Sequence, residues 1–186
     1  MYNIIIFFAL VITITSSNYI SHLIGSNFYK EIPTSYKIHD FLHDILPDIH
    51  KYHYIIDIIA FIIIIPAFIY FNSDLSIEFL TKFLIIMLIR SFTIISTVLP
   101  KYERCDETFT LRSFFLGGCY DKIFSGHTSF TLLLTLMYYR EDIINLPTLY
   151  VTNILNMLLI IATRSHYTID VLIAIFVTLT IFNIKM

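Results

Sequence analysis

Long apolar runs recur along this chain, and they decide what it can fold into. The first, MYNIIIFFALVITITSSNYI, opens the sequence. A helix that crosses a bilayer needs about 20 predominantly apolar residues. Runs of that kind lie at about residues 3–24, 53–71, 77–99, 125–139, 146–163 and 166–184. The fourth is short, which fits a helix whose start is buried in protein rather than lipid. The second contains Pro66, which a membrane bundle tolerates because neighbours satisfy the freed carbonyl. The expectation is an all-α, polytopic, integral membrane protein: six transmembrane helices in one domain, residues 1–186.

Composition agrees with that reading. The chain is 57% hydrophobic, against about 45–50% for a soluble domain. Its net charge is −2, which points to no nucleic-acid partner and no broad basic surface. Trp is absent, so Tyr has to supply the interfacial aromatic belt. The N-terminus lacks the basic start and small-residue cleavage site of a signal peptide, and reads as a retained helix.

Six alternating helices put the first, third and fifth loops on one face. Those loops carry the polar chemistry: HDFLHDILPDIHKYH, KYERCDETFTLRSFFLGGCYDKIFSGH and RSHYTID. The same face holds Lys30, Lys37, Lys51, Lys101, Arg104, Arg112, Lys122 and Arg164. The positive-inside rule would turn it to the cytosol, but cations gathered for an anionic substrate bias such a count. Cys105 and Cys119 share the third loop, either as a pair or as free thiols.

Two histidine motifs stand out. In HYTID, His166 and Asp170 are four apart, one helical turn. A carboxylate on one imidazole nitrogen fixes the tautomer and raises the basicity of the other. His166 is thus a candidate nucleophile toward phosphorus, with Asp170 as its partner. In SGHTS, Ser125 suits an N-cap and Gly126 allows close backbone approach. A helix N-terminus there suits a phosphate, and His127 in its first turn suits general acid–base work. Either motif alone is most often structural. Together, at the starts of two helices on one face, they point to a phosphate-handling site.

CYDKIFSGHT and HYTIDVLIA resemble the two signature motifs of the sphingomyelin synthase family, part of the lipid phosphate phosphatase superfamily. The first family motif reads C-G-D-x-x-x-S-G-H-T. Cys119, Asp121, Ser125, Gly126, His127 and Thr128 match it, with Tyr120 in place of its glycine. The second reads H-Y-[ST]-x-D-V-x-x-A, matched by His166, Tyr167, Thr168, Asp170, Val171 and Ala174. Upstream, Leu46, Pro47 and Asp48 resemble part of a P-P-L-P-D motif, and Arg90, Thr93, Thr97, Leu99 and Pro100 resemble an R-x-x-T segment. The resemblance covers about residues 40–180.

The resemblance implies a six-helix enzyme that moves phosphocholine from phosphatidylcholine to ceramide, giving sphingomyelin and diacylglycerol. It makes His166 the nucleophile, Asp170 its partner and His127 the acid/base, through a phosphohistidine that needs no cofactor and no metal. It implies a lumenal or exoplasmic active site at the Golgi or plasma membrane, which would let Cys105 and Cys119 form a disulfide. It also implies a minimal catalytic core, without the cytosolic N-terminal extension of animal members. Tyr120 is expected to put a phenol beside the phosphate.

Around that site, Arg90 suits a phosphate or a carboxylate within the third helix. Asp48 and Asp121 suit a choline ammonium, as do Tyr120 and Tyr167 by cation–π contact. The run of His39, His43, His50 and His53 with Asp40, Asp44 and Asp48 has spacing a metal would use, but reads better as a solvated amphipathic segment. Related headgroup transfer (phosphoethanolamine, phosphoinositol, or a diacylglycerol acceptor), lipid phosphate hydrolysis and a non-catalytic lipid-binding scaffold are the alternatives. The superfamily's phosphatases carry S-R seven and six residues before the histidine. Here those positions are Leu159 and Ile160, which favours transfer.

Overall fold

The computed structural model describes residues 2–30, 38–102, 105 and 108–185. Lys37 and Arg104 of the polar face lie outside them. Eight α-helices order the described residues: α1 (Tyr2–Phe28), α2 (Phe41–Ile45), α3 (Tyr54–Tyr70), α4 (Ser73–Ser96), α5 (Leu111–Leu116), α6 (Gly126–Arg140), α7 (Leu146–Ala162) and α8 (Thr168–Phe182). A 3-10 turn, His50–Tyr52, leads into α3. No strand occurs among the described residues.

Among the described residues, three segments are long and apolar enough to cross a membrane: Tyr2–Phe28, Ser73–Ser96 and, with its 3-10 lead-in, His50–Tyr70. The remaining three expected spans correspond to α6, α7 and α8, of 15, 17 and 15 residues.

Local chemistry corrects several expected boundaries. α4 starts at Ser73, not 77, because the Asn72 side chain accepts from Leu75 N at 2.9 Å and caps the helix there. It stops at Ser96, not 99. Thr97 is extended and Pro100 follows shortly, which disfavours helical backbone just before it. α8 starts at Thr168, not 166, so His166 lies in the loop before the helix. Pro66 sits inside α3 as expected.

The core lies between α4, α6 and α8, where Ile86, Ile94, Phe124, Leu133, Leu134 and Met137 are sealed from solvent. α1 packs along α4, and α6 touches α3, α4, α7 and α8. Phe61, Phe68, Phe92 and Phe176 stay exposed on the outer surface, as helices facing hydrocarbon should. The two ends differ. At one, Lys82 donates to the Phe182 carbonyl closing α8 and pairs with Glu78, which Arg140 grips with both terminal nitrogens at 2.7 and 2.8 Å. At the other, Tyr29 OH donates to Val98 O, Ile49 N to Ala162 O, and Ser125 N to Asp170 O. The first, third and fifth loops therefore do meet on one face.

Candidate active site

α6 begins where Ser125 caps it: the hydroxyl oxygen accepts from Thr128 N at 3.2 Å and from Thr128 Oγ1 at 2.9 Å. Losing such a cap costs about 1 kcal/mol. This places His127 in the first turn. Its Nε2 stands 3.0 Å from Asp57 Oδ1, and Arg112 of α5 holds the other oxygen of that carboxylate through Nε at 3.0 Å and Nη2 at 2.7 Å.

His166 is 5% exposed and Asp170 fully buried. Nδ1 of His166 lies 3.1 Å from Asp170 Oδ2, which also accepts from Tyr167 N at 3.0 Å. Asp170 is the third residue of α8, so the pair bridges a helix start rather than lying along a helix. With Nδ1–H donated to the carboxylate, Nε2 is the free, basic nitrogen. Burial pushes the His166 imidazole below the usual histidine pKa, and Asp170 opposes that shift. The hydrogen bond leaves Nε2 as the nitrogen that faces the cavities His166 lines.

A strap from the first loop clamps the same corner. Asp40 accepts from Thr168 N and Thr168 Oγ1, both at 2.7 Å, and so caps α8 from 128 residues away. His43 Nε2 meets the His166 carbonyl at 3.1 Å. Arg164 donates to the carbonyls of His43, Leu46 and Ile161.

Arg90 enters from α4. Nη2 pairs with Asp121 Oδ2 at 2.7 Å and Nη1 donates to Asn18 Oδ1 at 2.9 Å. Burial opposes the ionisation of Asp121, but Arg90 beside it, with help from His166 and Lys122, holds its carboxyl below the usual range. Gly117 has φ +92°, and a Cβ there would overlap the Asp121 carboxylate, so the turn needs glycine. Lys122 donates to Ser165 O. Burial pushes its ammonium below the usual lysine range, against the pull of Asp121 and Asp170.

Two cavities meet here. One, about 240 Å3, is walled largely by apolar side chains such as Phe61, Phe83, Met87 and Phe130. The other, about 340 Å3, is lined by polar groups such as His50, Thr110, Arg112, Ser113 and Lys122. Asp57, Leu116, Asp121, His127 and His166 line both. The histidines thus stand at the seam between an oily chamber and a polar one. Cys105 and Cys119 are disulfide-bonded, with Cα atoms 5.8 Å apart, at the edge of the polar cavity.

Of the expected site residues, the structure brings together His127, His166, Asp170, Arg90, Asp121, Ser125, Gly126 and Thr128. Three others sit elsewhere. Asp48 is exposed, accepting from Tyr102 OH at 2.6 Å and His50 N at 3.0 Å. Tyr167 is buried against His43, its hydroxyl pushed up to about 12, first by burial and then by Asp170. Tyr120 packs into α1, against Gly25, and stacks on Tyr29 at 6.0 Å. Sequence reasoning missed Asp57 and undervalued Arg112. The available signal was an ionisable residue inside an apolar membrane run. Among the described residues no group of three or more His, Cys, Asp or Glu is arranged to hold a metal ion.

The fold and site define a helical membrane protein with two histidine–carboxylate pairs at the junction of an apolar and a polar cavity. Residues 118–186 match the family model described as PAP2 superfamily C-terminal. A phosphatidylinositol:ceramide inositolphosphotransferase of Trypanosoma cruzi (strain CL Brener) is 31% identical over 124 residues, covering 57% of this chain and 37% of that protein. The chain thus spans little more than a third of that relative. Its C-terminal part is similar to the PAP2 superfamily, and part of its length to that transferase.

Proposed function

We propose that this protein transfers a phosphorylated headgroup from a glycerophospholipid to the primary hydroxyl of ceramide, through a phosphohistidine on His166. The observation that carries this reading is the shared lining of the two cavities by His127 and His166. A phospholipid has an apolar and a polar part joined at the phosphate, and the histidines stand at the corresponding junction. Nε2 of His166 attacks phosphorus, forming a P–N bond as the P–O bond to diacylglycerol breaks, and His127 gives the leaving oxygen its proton. His127 then takes the proton of the ceramide hydroxyl. That oxygen attacks phosphorus as the P–N bond breaks. Asp170 and Asp57 orient the two rings, and Arg90 orients Asp121.

Phosphatidylcholine is the donor implied by the motifs, with sphingomyelin as product. Phosphatidylinositol is the second reading. The relative's name favours it, and so does the packing of Tyr120 on Tyr29 and of Tyr167 on His43, outside the lining of both cavities. The reading treats residues 1–186 as one catalytic domain with α1, α3, α4, α6, α7 and α8 as its six spans. Its polar face meets an oxidising compartment, the Golgi lumen or cell exterior, consistent with the Cys105–Cys119 bond.

The test uses purified protein in liposomes with labelled ceramide and phosphatidylcholine, phosphatidylethanolamine or phosphatidylinositol. A new phosphosphingolipid that disappears in His166→Ala supports transfer and names the headgroup. Diacylglycerol with free phosphorylated headgroup, and no new sphingolipid, means that water is the acceptor. Normal turnover in His166→Ala removes the nucleophile assignment.

A further inference from the structure

Lys122 follows Asp121 in the loop that leads into α6, and the mechanism above gives it no part. It is 3% exposed and lines the polar cavity together with both histidines. An ammonium carries three donors. That of Lys122 makes one hydrogen bond, to the Ser165 carbonyl, which leaves two N–H groups over.

The neighbouring carboxylates are already hydrogen-bonded to other groups. Asp57 is shared by His127 and Arg112, Asp121 is bound by Arg90, and Asp170 holds His166. Arg164, the other cation of this cavity outside a carboxylate pair, is engaged by three main-chain carbonyls. Among the described residues Lys122 is therefore a buried cation outside any ion pair, with donors to spare, and such a charge is costly unless an anion joins it.

Two further features favour an anion here. Ile123, the next residue, has φ +75°, a left-handed conformation that a β-branched side chain avoids. The kink fixes Lys122 just ahead of the α6 N-terminus, whose partial positive charge adds to that of the ammonium. In addition, Nε of Arg90 is buried without a partner, beside Gly126 at that same helix start.

We propose that Lys122 is the phosphate ligand of this site, bound to a non-bridging oxygen of the substrate diester and of the phosphoryl group on His166. The proposal rests on the headgroup-transfer reading for its substrate. Its chemistry, a buried ammonium awaiting a phosphoryl anion, is tested separately from that reading.

Orthovanadate, which mimics a phosphoryl group in transfer, is the probe. Thermal unfolding of the full chain in detergent is followed against vanadate for the wild type, Lys122→Met and Lys122→Arg, beside transfer kinetics. A hydrogen bond to a charged group changes affinity about 10- to 100-fold. Lys122→Met is expected to weaken vanadate protection by that factor and to lower turnover at saturating donor. Lys122→Arg is expected to keep most of the protection. Folded Lys122→Met protected like the wild type overturns the proposal, because a lysine that only braces Ser165 would leave anion affinity unchanged. If Lys122→Met does not fold, the wild type still decides: no protection at millimolar vanadate also overturns it. Protection that depends on Lys122, without transfer from any donor, would keep the phosphate site and remove the transferase reading.

Discussion

His127 Nε2 stands 3.0 Å from Asp57 Oδ1, so the histidine that opens α6 has a carboxylate partner supplied by α3. The arrangement parallels His166 and Asp170 across the same cavities. One carboxylate comes from within the motif, and the other from 70 residues away in sequence.

Asp57→Asn is expected to lower turnover by about 10²- to 10⁴-fold, the usual worth of a correctly set acid–base group. An amide there can hold the His127 ring in the opposite tautomer. Product formation from labelled ceramide measures the loss. Arg112→Ala is the companion variant, since Asp57 also anchors Arg112. Wild-type turnover in Asp57→Asn would mean that His127 works without this partner.

Stability should fall on mild acidification. Burial is the leading cause that holds His43 and His166 below the usual histidine pKa of about 6.5. The unfolded chain takes up protons near that value that the folded one refuses, so the contribution of these two histidines is level above it and declines as pH drops through it. Asp40 and Asp121, whose carboxyls lie below the usual range, add their loss only below about pH 4. Unfolding midpoints from pH 8 to pH 5 measure the trend. His43→Gln, which keeps a donor near the His166 carbonyl, should flatten it. A level midpoint from pH 7 to pH 5 in the wild type would contradict two buried neutral histidines.

Removing the Cys105–Cys119 bond should lower stability by about 3 kcal/mol, the chain-entropy value for a loop of about 15 residues. The bond closes 14 residues of sequence around α5 and Gly117. That loop carries Arg112, so turnover should fall as well. The unfolding midpoint of Cys105→Ser, and of the wild type with reductant, checks both. An unchanged midpoint under full reduction would show that α1 and α3 hold the loop unaided.

The long helices were legible because hydrophobic length needs no tertiary knowledge. The α6 start was legible too, since Ser125 and Gly126 are cap chemistry written locally. α2 and α5 were not. They are five and six residues long, too short for a periodic signal, and depend on the caps of Asp40 and Thr110 and on distant partners for their docking. For the same reason the motif histidines could be found in sequence while Asp57 could not. His166 and Asp170 are four residues apart in sequence, whereas the Asp57–His127 pair exists only once α3 lies against α6. Asp48 and Tyr167 show the converse. Their place in a motif suggested the site, but Asp48 accepts from Tyr102 and His50, and Tyr167 packs on His43.

Tyr120 and Gly25 supply a test of how the departure from the motif is accommodated. A Cβ on Gly25 would overlap the Tyr120 ring, which lies flat on α1 at that point. The missing side chain at Gly25 makes room for the phenol where the family motif has glycine. Gly25→Ala is therefore expected to destabilise the fold by roughly 1–3 kcal/mol, although alanine is the better helix former by about 1 kcal/mol. Tyr120→Ala alone leaves a cavity and should cost about 3–5 kcal/mol. In the double variant the clash is gone, so the costs should not add, and a coupling of about 1–3 kcal/mol should appear. Denaturant unfolding of the four proteins in one detergent closes the cycle. Additive losses would mean that α1 shifts to admit the methyl group, and that Gly25 and Tyr120 are neighbours without being energetic partners.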